Sequence, residues 1–244
     1  MKLSQIRIVL VATTHPGNIG STARAMKTMG LSQLYLVSPK HFPHSQANEL
    51  ASGADDILQQ ATVVESLSEA LSGCHWVLAT SARPRDLDLP GLLPAQAGQF
   101  SAEQDDSCQI AVVFGREHAG LTNEELLHAH FHIQIPANPA YASLNLAMAV
   151  QIICYEMRQA ILSPSAITHT QVEEKASAEE VEGLYEHLLE TMIRVQFLHP
   201  NSPGKLPQRI RRLLNRFSLE RREVNLLRGF LTETNKNLEN TPKN

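Results

Sequence analysis

The chain alternates between short, largely apolar runs and stretches in which apolar residues recur at helical spacing. Ile6–Ala12 (IRIVLVA) is rich in β-branched residues, the mark of a strand buried on both faces. Leu34–Val37, Ala61–Val64, Trp76–Thr80, Ile110–Phe114 and Phe131–Ile135 are further strands. Helical patterns lie between them. Ile19–Met29 is closed by Gly30 as a left-handed C-cap, and Ser45–Ser52, Leu67–Leu71, Asn123–Ala129 and Ser143–Leu162 follow. Thr122 and Glu125 form a capping box ahead of Asn123. Thr13–Asn18 reads as a loop with Pro16 and Gly17 as turn residues, and Ser81–Asp106 as one long irregular loop with three prolines. Strands alternating with helices predict an α/β domain over residues 1–162: a parallel sheet with helices on both faces.

The pattern changes beyond residue 162. Residues 163–178 (SPSAITHTQVEEKASA) are polar and aperiodic, which predicts a linker. Glu179–Leu198 is amphipathic, with Val181, Leu184, Leu188, Met192 and Val195 on one face. After a turn at His199–Lys205, Leu206–Arg216 and Leu219–Leu231 give two more helices, and the polar tail after Glu233 is expected to fray. Residues 179–244 therefore form a small all-α domain. At about 65 residues it is short for a self-sufficient core and is expected to lean on a partner.

Charge separates the two regions. The net charge is -4, but Arg194 to Arg228 holds nine basic residues against Glu220 and Glu223, a local +7 that leaves −11 elsewhere. A basic block on an acidic body points to a polyanion partner, with Arg209, Arg211, Arg212 and Arg216 as the densest group for RNA or DNA phosphates. Few aromatics interleave it, which argues against base stacking there. The composition, 43% hydrophobic and 19% charged, is that of an ordinary globular protein. No apolar run reaches the roughly 18 residues of a membrane span. The start runs straight into a strand without a signal core, and Cys74, Cys108 and Cys154 form no CxxC pair. These features predict a reduced, cytoplasmic protein without a zinc knuckle.

Two loops at strand ends carry the densest chemistry: Gly115-Arg116-Glu117 after Phe114, and Ile135–Asn145 with Pro136 and Pro139. In open α/β sheets ligands bind at the carboxyl ends of strands. Arg116 offers a fork for phosphate or carboxylate, or a structural ion pair with an acid. Ser143 is a plain helix N-cap or a ligand contact, and no GxSxG surrounds it as a nucleophile. Gly17-Asn18-Ile19-Gly20 lacks the GxGxxG spacing, and Val37-Ser38-Pro39 lacks the acid that a dinucleotide ribose needs. A nicotinamide oxidoreductase is disfavoured, and Gly17 and Gly20 read as glycines of a tight turn and close helix packing. Arg24 sits on a helix whose other face is apolar. His128, His130 and His132 share one face at period two, without a Cys or carboxylate set to complete a metal site.

Together these stretches resemble a known family. Asn18, Gly20 and Arg24 (NxGxxxR), Phe114, Gly115, Glu117, Gly120 and Leu121 (FGxExxGL), and Ile135, Pro136, Ser143, Leu144 and Asn145 (IPxxxxxxSLN) resemble the three motifs of SPOUT-class RNA 2′-O-methyltransferases. RIVLV…RAMKTMGL, NPxYxSLNLAMAVQ and the basic helical extension are most similar to the TrmJ-type tRNA (cytidine/uridine-2′-O)-methyltransferases. The resemblance implies a trefoil α/β knot at the end of the first domain and a homodimer with its sites at the interface. It implies S-adenosylmethionine, and no metal, held by Thr80, Ser81, Ala82, Gly115, Ile135, Pro136, Ser143, Leu144 and Asn145. It implies that Arg24, from the opposite subunit, handles the ribose hydroxyl. An arginine stays protonated, so its role is to position and polarise rather than to act as a base. Asn18, Arg116, Glu117, Ser143 and Asn145 would orient the nucleotide and the motif loops, and Arg83, Arg85 and Tyr141 would touch substrate. The implied substrate is a tRNA anticodon loop at nucleotide 32, gripped by the basic tail. Another RNA such as rRNA, or a non-catalytic RNA-binding role on the same fold, are the alternatives.

Overall fold

Each apolar run of the first 162 residues gives a strand in the computed structural model, which describes residues 1–81, 89–162 and 174–240. In chain order the first unit runs β1 (Ile6–Val11), α1 (Pro16–Met29), β2 (Gln33–Val37), α2 (Ser45–Ala51), α3 (Asp55–Gln59), β3 (Thr62–Val64), α4 (Leu67–Leu71) and β4 (Trp76–Thr80). It continues with β5 (Gly91–Leu92), α5 (Pro94–Ala102), β6 (Ile110–Phe114), α6 (Asn123–Leu126), β7 (Phe131–Ile133) and α7 (Leu146–Leu162). The strands form a 7-stranded sheet in the order β3-β2-β1-β6-β4-β7-β5, and every recorded pairing is parallel.

Both faces of β1 are buried, as its unbroken apolar run requires. Ile6, Ile8 and Leu10 enter a core shared with Ile19 and Met26 of α1, Ala47 of α2 and Val150, Ile153 and Met157 of α7. Arg7 lies on the other face, where its guanidinium donates to the carbonyl oxygens of Ala70 (2.5 Å) and Ser72 (2.9 Å) and covers the Tyr35 ring at 4.0 Å. Parallel pairing brings β6 between β1 and β4, and β7 against β4 with Thr80 opposite Ile133. The carboxyl ends of β4, β6 and β7 therefore lie side by side, and three loops leave the sheet from one edge.

Several boundaries differ from the sequence reading for local reasons. α1 begins at Pro16, a proline in the first turn where no N–H is needed, with His15 as N-cap. The stretch expected to be one long loop contains β5 and α5. Pro94 opens α5 rather than breaking it, and the Gln96 side chain accepts from Leu93 N–H at 2.8 Å. α7 begins at Leu146, not Ser143, because Asn145 is the capping side chain: its Oδ1 accepts from Ala147 N–H at 2.9 Å. α6 stops at Leu126 and β7 at Ile133, while α3 was not legible.

The chain divides into Met1–Thr170 and Gln171–Asn244. In the second unit, α8 (Ala178–Arg194) opens on a capping box between Ser177 and Glu180, and α9 (Leu206–Arg216) and α10 (Arg221–Asn240) pack on it. Residues 174–177, expected within the linker, belong to this unit: Ala176 N–H donates to Leu219 O at 2.8 Å and Arg221 N–H to Glu174 O at 2.9 Å. Val181, Leu184, Tyr185, Leu214, Val224 and Leu231 form its core. α10 runs past Glu233 to Asn240, where a frayed tail was expected. Buried Asn235 donates to Thr191 Oγ1 at 3.0 Å and anchors it. Among the described residues no helix is long and apolar enough to cross a membrane.

Candidate functional site

The three loops at the sheet edge enclose a cavity of about 350 Å3, within the range of small-molecule sites. Thr80 and Ser81 line it from β4, Phe114 to Gly120 from β6, and Ile133, Ile135 and Ala142 to Leu144 from β7, with Leu146 and Ala149 of α7 closing one side. The wall is mixed: apolar Phe114, Ile133, Ile135, Leu144 and Leu146 alternate with backbone and hydroxyl groups. Of the residues expected to hold a cofactor, Thr80, Ser81, Gly115, Ile135, Ser143 and Leu144 are brought together here. Pro136 and Asn145 adjoin the wall without being part of it. Ala82, Arg83 and Arg85 lie outside the described residues.

The β6 loop closes on itself. Arg116 and Gly120 exchange backbone hydrogen bonds of 3.2 and 2.9 Å, and Gly120 has φ 67°. A Cβ on Gly115 would stand 2.1 Å from the Gly120 carbonyl carbon, so this glycine is required by the loop's own backbone. Arg116 forks onto Glu125, with both nitrogens at 2.9 Å, and this ion pair holds the Glu125 carboxyl below its usual range against the opposing effect of burial. Of the two readings open for Arg116, the ion pair is the one formed.

Glu117 ties this loop to α1. Its carboxylate accepts from Thr14 N–H (3.1 Å), His15 N–H (3.0 Å) and Asn18 Nδ2 (3.0 Å). Burial opposes its charge, but these donors outweigh it and bring its pKa down to about 2. Asn18 Oδ1 in turn accepts from Asn145 Nδ2 at 3.0 Å, and Asn145 caps α7. Residues from all three motifs thus form one chain of hydrogen bonds spanning the loop after β6, the start of α1 and the start of α7. Arg24 lies two turns along α1, exposed and outside the cavity wall, and its guanidinium has no partner among the described residues. Tyr141 is 79% exposed in the β7 loop. Two of the three histidines in the row engage the backbone: His130 Nδ1 accepts from Val77 N–H at 3.1 Å and His132 Nε2 lies 3.3 Å from Ser81 O.

Against this geometry, two family profiles match the chain: the SpoU rRNA methylase family over residues 5–155, and the C-terminal domain of the tRNA methyltransferase TrmJ over residues 179–243. The chain belongs to the SpoU methylase family. It is 50% identical over 236 residues to the tRNA (cytidine/uridine-2′-O-)-methyltransferase TrmJ of Pectobacterium atrosepticum, covering 96% of this chain and 98% of that protein. It is 50% identical over 245 residues to the tRNA (cytidine/uridine/adenosine-2′-O-)-methyltransferase TrmJ of Pseudomonas aeruginosa, covering 96% and 95%. The crystal structure of TrmJ from Z. mobilis ZM4 superposes with a TM-score of 0.84 at 35% identity, covering 94% of this chain and 98% of that one. The protein is a methyltransferase of the TrmJ type.

The TrmJ-type C-terminal domain changes the reading of the basic block. Arg211 forks onto Glu182 and covers the Tyr185 ring at 4.1 Å. Arg221 pairs with Glu180 and Glu174, and Arg194 with Glu190 and Glu239. Arg212 and Arg222 are engaged as well. The side chains of Lys205, Arg209, Arg216 and Arg228 form no hydrogen bond or ion pair among the described residues. Arg209, Arg212 and Arg216 recur at helical spacing along one side of α9, and its N-cap Lys205 continues the spacing. Sequence reasoning missed His118, which lines the cavity from a position the motif leaves open.

Proposed function

We propose that the protein is an S-adenosylmethionine-dependent tRNA 2′-O-ribose methyltransferase acting in the cytoplasm on nucleotide 32 of the anticodon loop, cytidine or uridine. One observation carries the reading: residues of three motifs, scattered over 127 positions, are joined by hydrogen bonds around a single cavity at the sheet edge. That the named substrates of the relatives span two or three bases suits a reaction at the ribose, which all nucleotides share.

The cavity suits the cofactor. Its apolar wall matches a flat nucleobase and its backbone groups match polar edges. Among the described residues that line it the one guanidinium, Arg116, is paired with Glu125, which leaves that charge balanced beside a cationic sulfonium. Thr80, Ser81, Gly115, Ile135, Ser143 and Leu144 would hold it, with Ala82, Pro136 and Asn145 beside them. Bound there, it supplies an electrophilic methyl group. The protein's part is to bring a ribose hydroxyl to that methyl in line and without competing water. Arg24, protonated throughout, would position and polarise the hydroxyl together with the nucleotide's own phosphate, and transfer would leave neutral S-adenosylhomocysteine and release the hydroxyl proton to solvent. Glu117, Asn18 and Asn145 fix the start of α1, and so the helix that carries Arg24, against the cofactor loops.

In this reading Arg24 serves the pocket of a second copy. Support comes from α7, where Met148 (62%), Tyr155 (47%) and Leu162 (57%) recur every two turns as an exposed apolar stripe on a helix packed against α1. The loops after β6 and β7 would thread as the trefoil knot implied by the family resemblance, with β7 lying beyond β4 from β6 in the sheet. Lys205, Arg209, Arg212 and Arg216 would grip tRNA phosphates, with Arg211 supporting the helix that presents them, and Arg83, Arg85 and Tyr141 would meet the nucleotide.

The test is incubation with labelled S-adenosylmethionine and, in separate reactions, tRNA transcripts and rRNA, followed by mapping of the 2′-O-methyl nucleotide. Methyl at position 32 is expected; methylation of rRNA in place of tRNA would overturn the substrate. Arg24→Ala is expected to abolish transfer while S-adenosylhomocysteine still binds, and retained turnover would remove the role given to Arg24.

A further inference from the structure

In the β6 loop the charged side chains are already committed: Arg116 to Glu125, and Glu117 to α1. The loop is thereby pinned at its shoulder and by the Arg116–Gly120 backbone pair. His118 stands at its tip. It lines the cavity and is exposed, and its imidazole forms no hydrogen bond or ion pair among the described residues. Its recorded neighbour is His15, the exposed N-cap of α1, whose ring centroid lies 6.5 Å away at an interplanar angle of 76°.

A rigid loop tip that carries an unclaimed polar ring into the mouth of a binding cavity is built to meet what enters it. The ring geometry says how. Two nearly perpendicular imidazoles do not make the parallel slot in which a base could stack on both. What an imidazole offers in place of a stacking slot is the N–H donor at its ring edge. The available acceptors of an RNA strand that do not depend on base identity are the oxygens of its sugar–phosphate backbone.

We propose that His118, with His15 beside it, is an RNA-contacting residue that donates a ring N–H to a backbone oxygen of the nucleotide entering the cavity. This inference rests on the RNA-methyltransferase reading above. It assigns to the β6 loop a second duty: Arg116 and Glu117 hold the loop, and His118 reads the strand that the loop faces.

Two substitutions separate the alternatives. His118→Phe keeps a flat ring and removes the N–H, whereas His118→Gln removes the ring and keeps an N–H donor. The measurements are KM for a tRNA transcript and calorimetric Kd for S-adenosylhomocysteine. His118→Phe is expected to raise KM roughly tenfold, the size of one charge-assisted hydrogen bond, with the cofactor Kd unchanged and with His118→Gln close to the unaltered protein. The proposal is overturned if the Phe variant keeps its KM, if it loses cofactor affinity in parallel, or if Gln is no better than Phe, which would indicate stacking or loop support. Absence of any tRNA methylation by the unaltered protein would overturn the reading of the site itself, and this inference with it.

Discussion

Glu117 shows how one carboxylate links the chemistry to the fold. Its three donors come from the approach to α1 and from Asn18, and they hold its pKa at about 2 against burial. The folded pKa is depressed, so the stabilisation is complete above the unfolded value near 4.5 and is lost as pH falls from there toward 2. Glu117→Gln removes the charge at nearly constant volume. A loss of about 1–2 kcal/mol at neutral pH is expected, at the lower end because the group is partly exposed. Thermal unfolding across pH checks it: the gap between the two proteins should narrow below pH ~4.5, and a gap independent of pH would show that shape, not charge, matters. Methyl transfer should fall by more than stability does, because α1 loses its tether to the cofactor loops. The motif marked Glu117 as important, but its direction was not legible. Nothing in FGxExxGL says that the acid reaches residues about a hundred positions upstream.

Among the elements, the contact between α1 and α2 is the least tolerant. A Cβ on Gly20 would lie 2.0 Å from the Ala47 carbonyl oxygen and 2.8 Å from its carbon, both backbone atoms that cannot turn aside. Gly20→Ala must therefore push the helices apart, at a cost of about 1–3 kcal/mol or more, and it shifts the helix that carries Arg24. Denaturant titration should show the loss. Gly91→Ala, where nothing lies within 4 Å, should leave the midpoint unchanged and serves as the control. A Gly20→Ala protein of normal stability would mean that α2 yields freely. Close helix packing was readable from GNIG because small residues at helical spacing have few other uses. Apolar runs likewise betrayed β1, β4 and β6, since a doubly buried strand has no polar face to disguise it. What escaped were features set by partners distant in sequence. Pro94 looked like a loop residue until its place in the first turn of α5 was seen, and α10 outlasts its apolar pattern because Asn235 is held by Thr191. The basic block was counted along the chain, whereas Glu174, Glu180 and Glu182 reach it from α8 and its approach and neutralise Arg211 and Arg221.

For the whole molecule, the proposed arrangement makes each pocket depend on a second copy, and that dependence can be tested without a structure of the dimer. Arg24 lies outside the wall of its own cavity and the apolar stripe of α7 stays open beside α1. In a C2 dimer the same stripe is buried twice, and what one subunit gives its partner it also receives. Two inactive variants then complement. Arg24→Ala keeps its cavity but lacks the arginine. Ala142→Trp fills the cavity, which calorimetry with S-adenosylhomocysteine verifies, but keeps Arg24. If Arg24 works across the interface, a mixed dimer places an intact arginine over the one intact cavity, and the second site lacks both. Purified mixed dimers should then show about half the activity of the unaltered protein, and a freely exchanged equal mixture about a quarter. If Arg24 works within its own subunit, neither site of a mixed dimer is complete and the mixture stays as inactive as its parts. Activity in the mixture therefore requires the shared site, because no site in either parent protein has both an open cavity and an arginine to serve it.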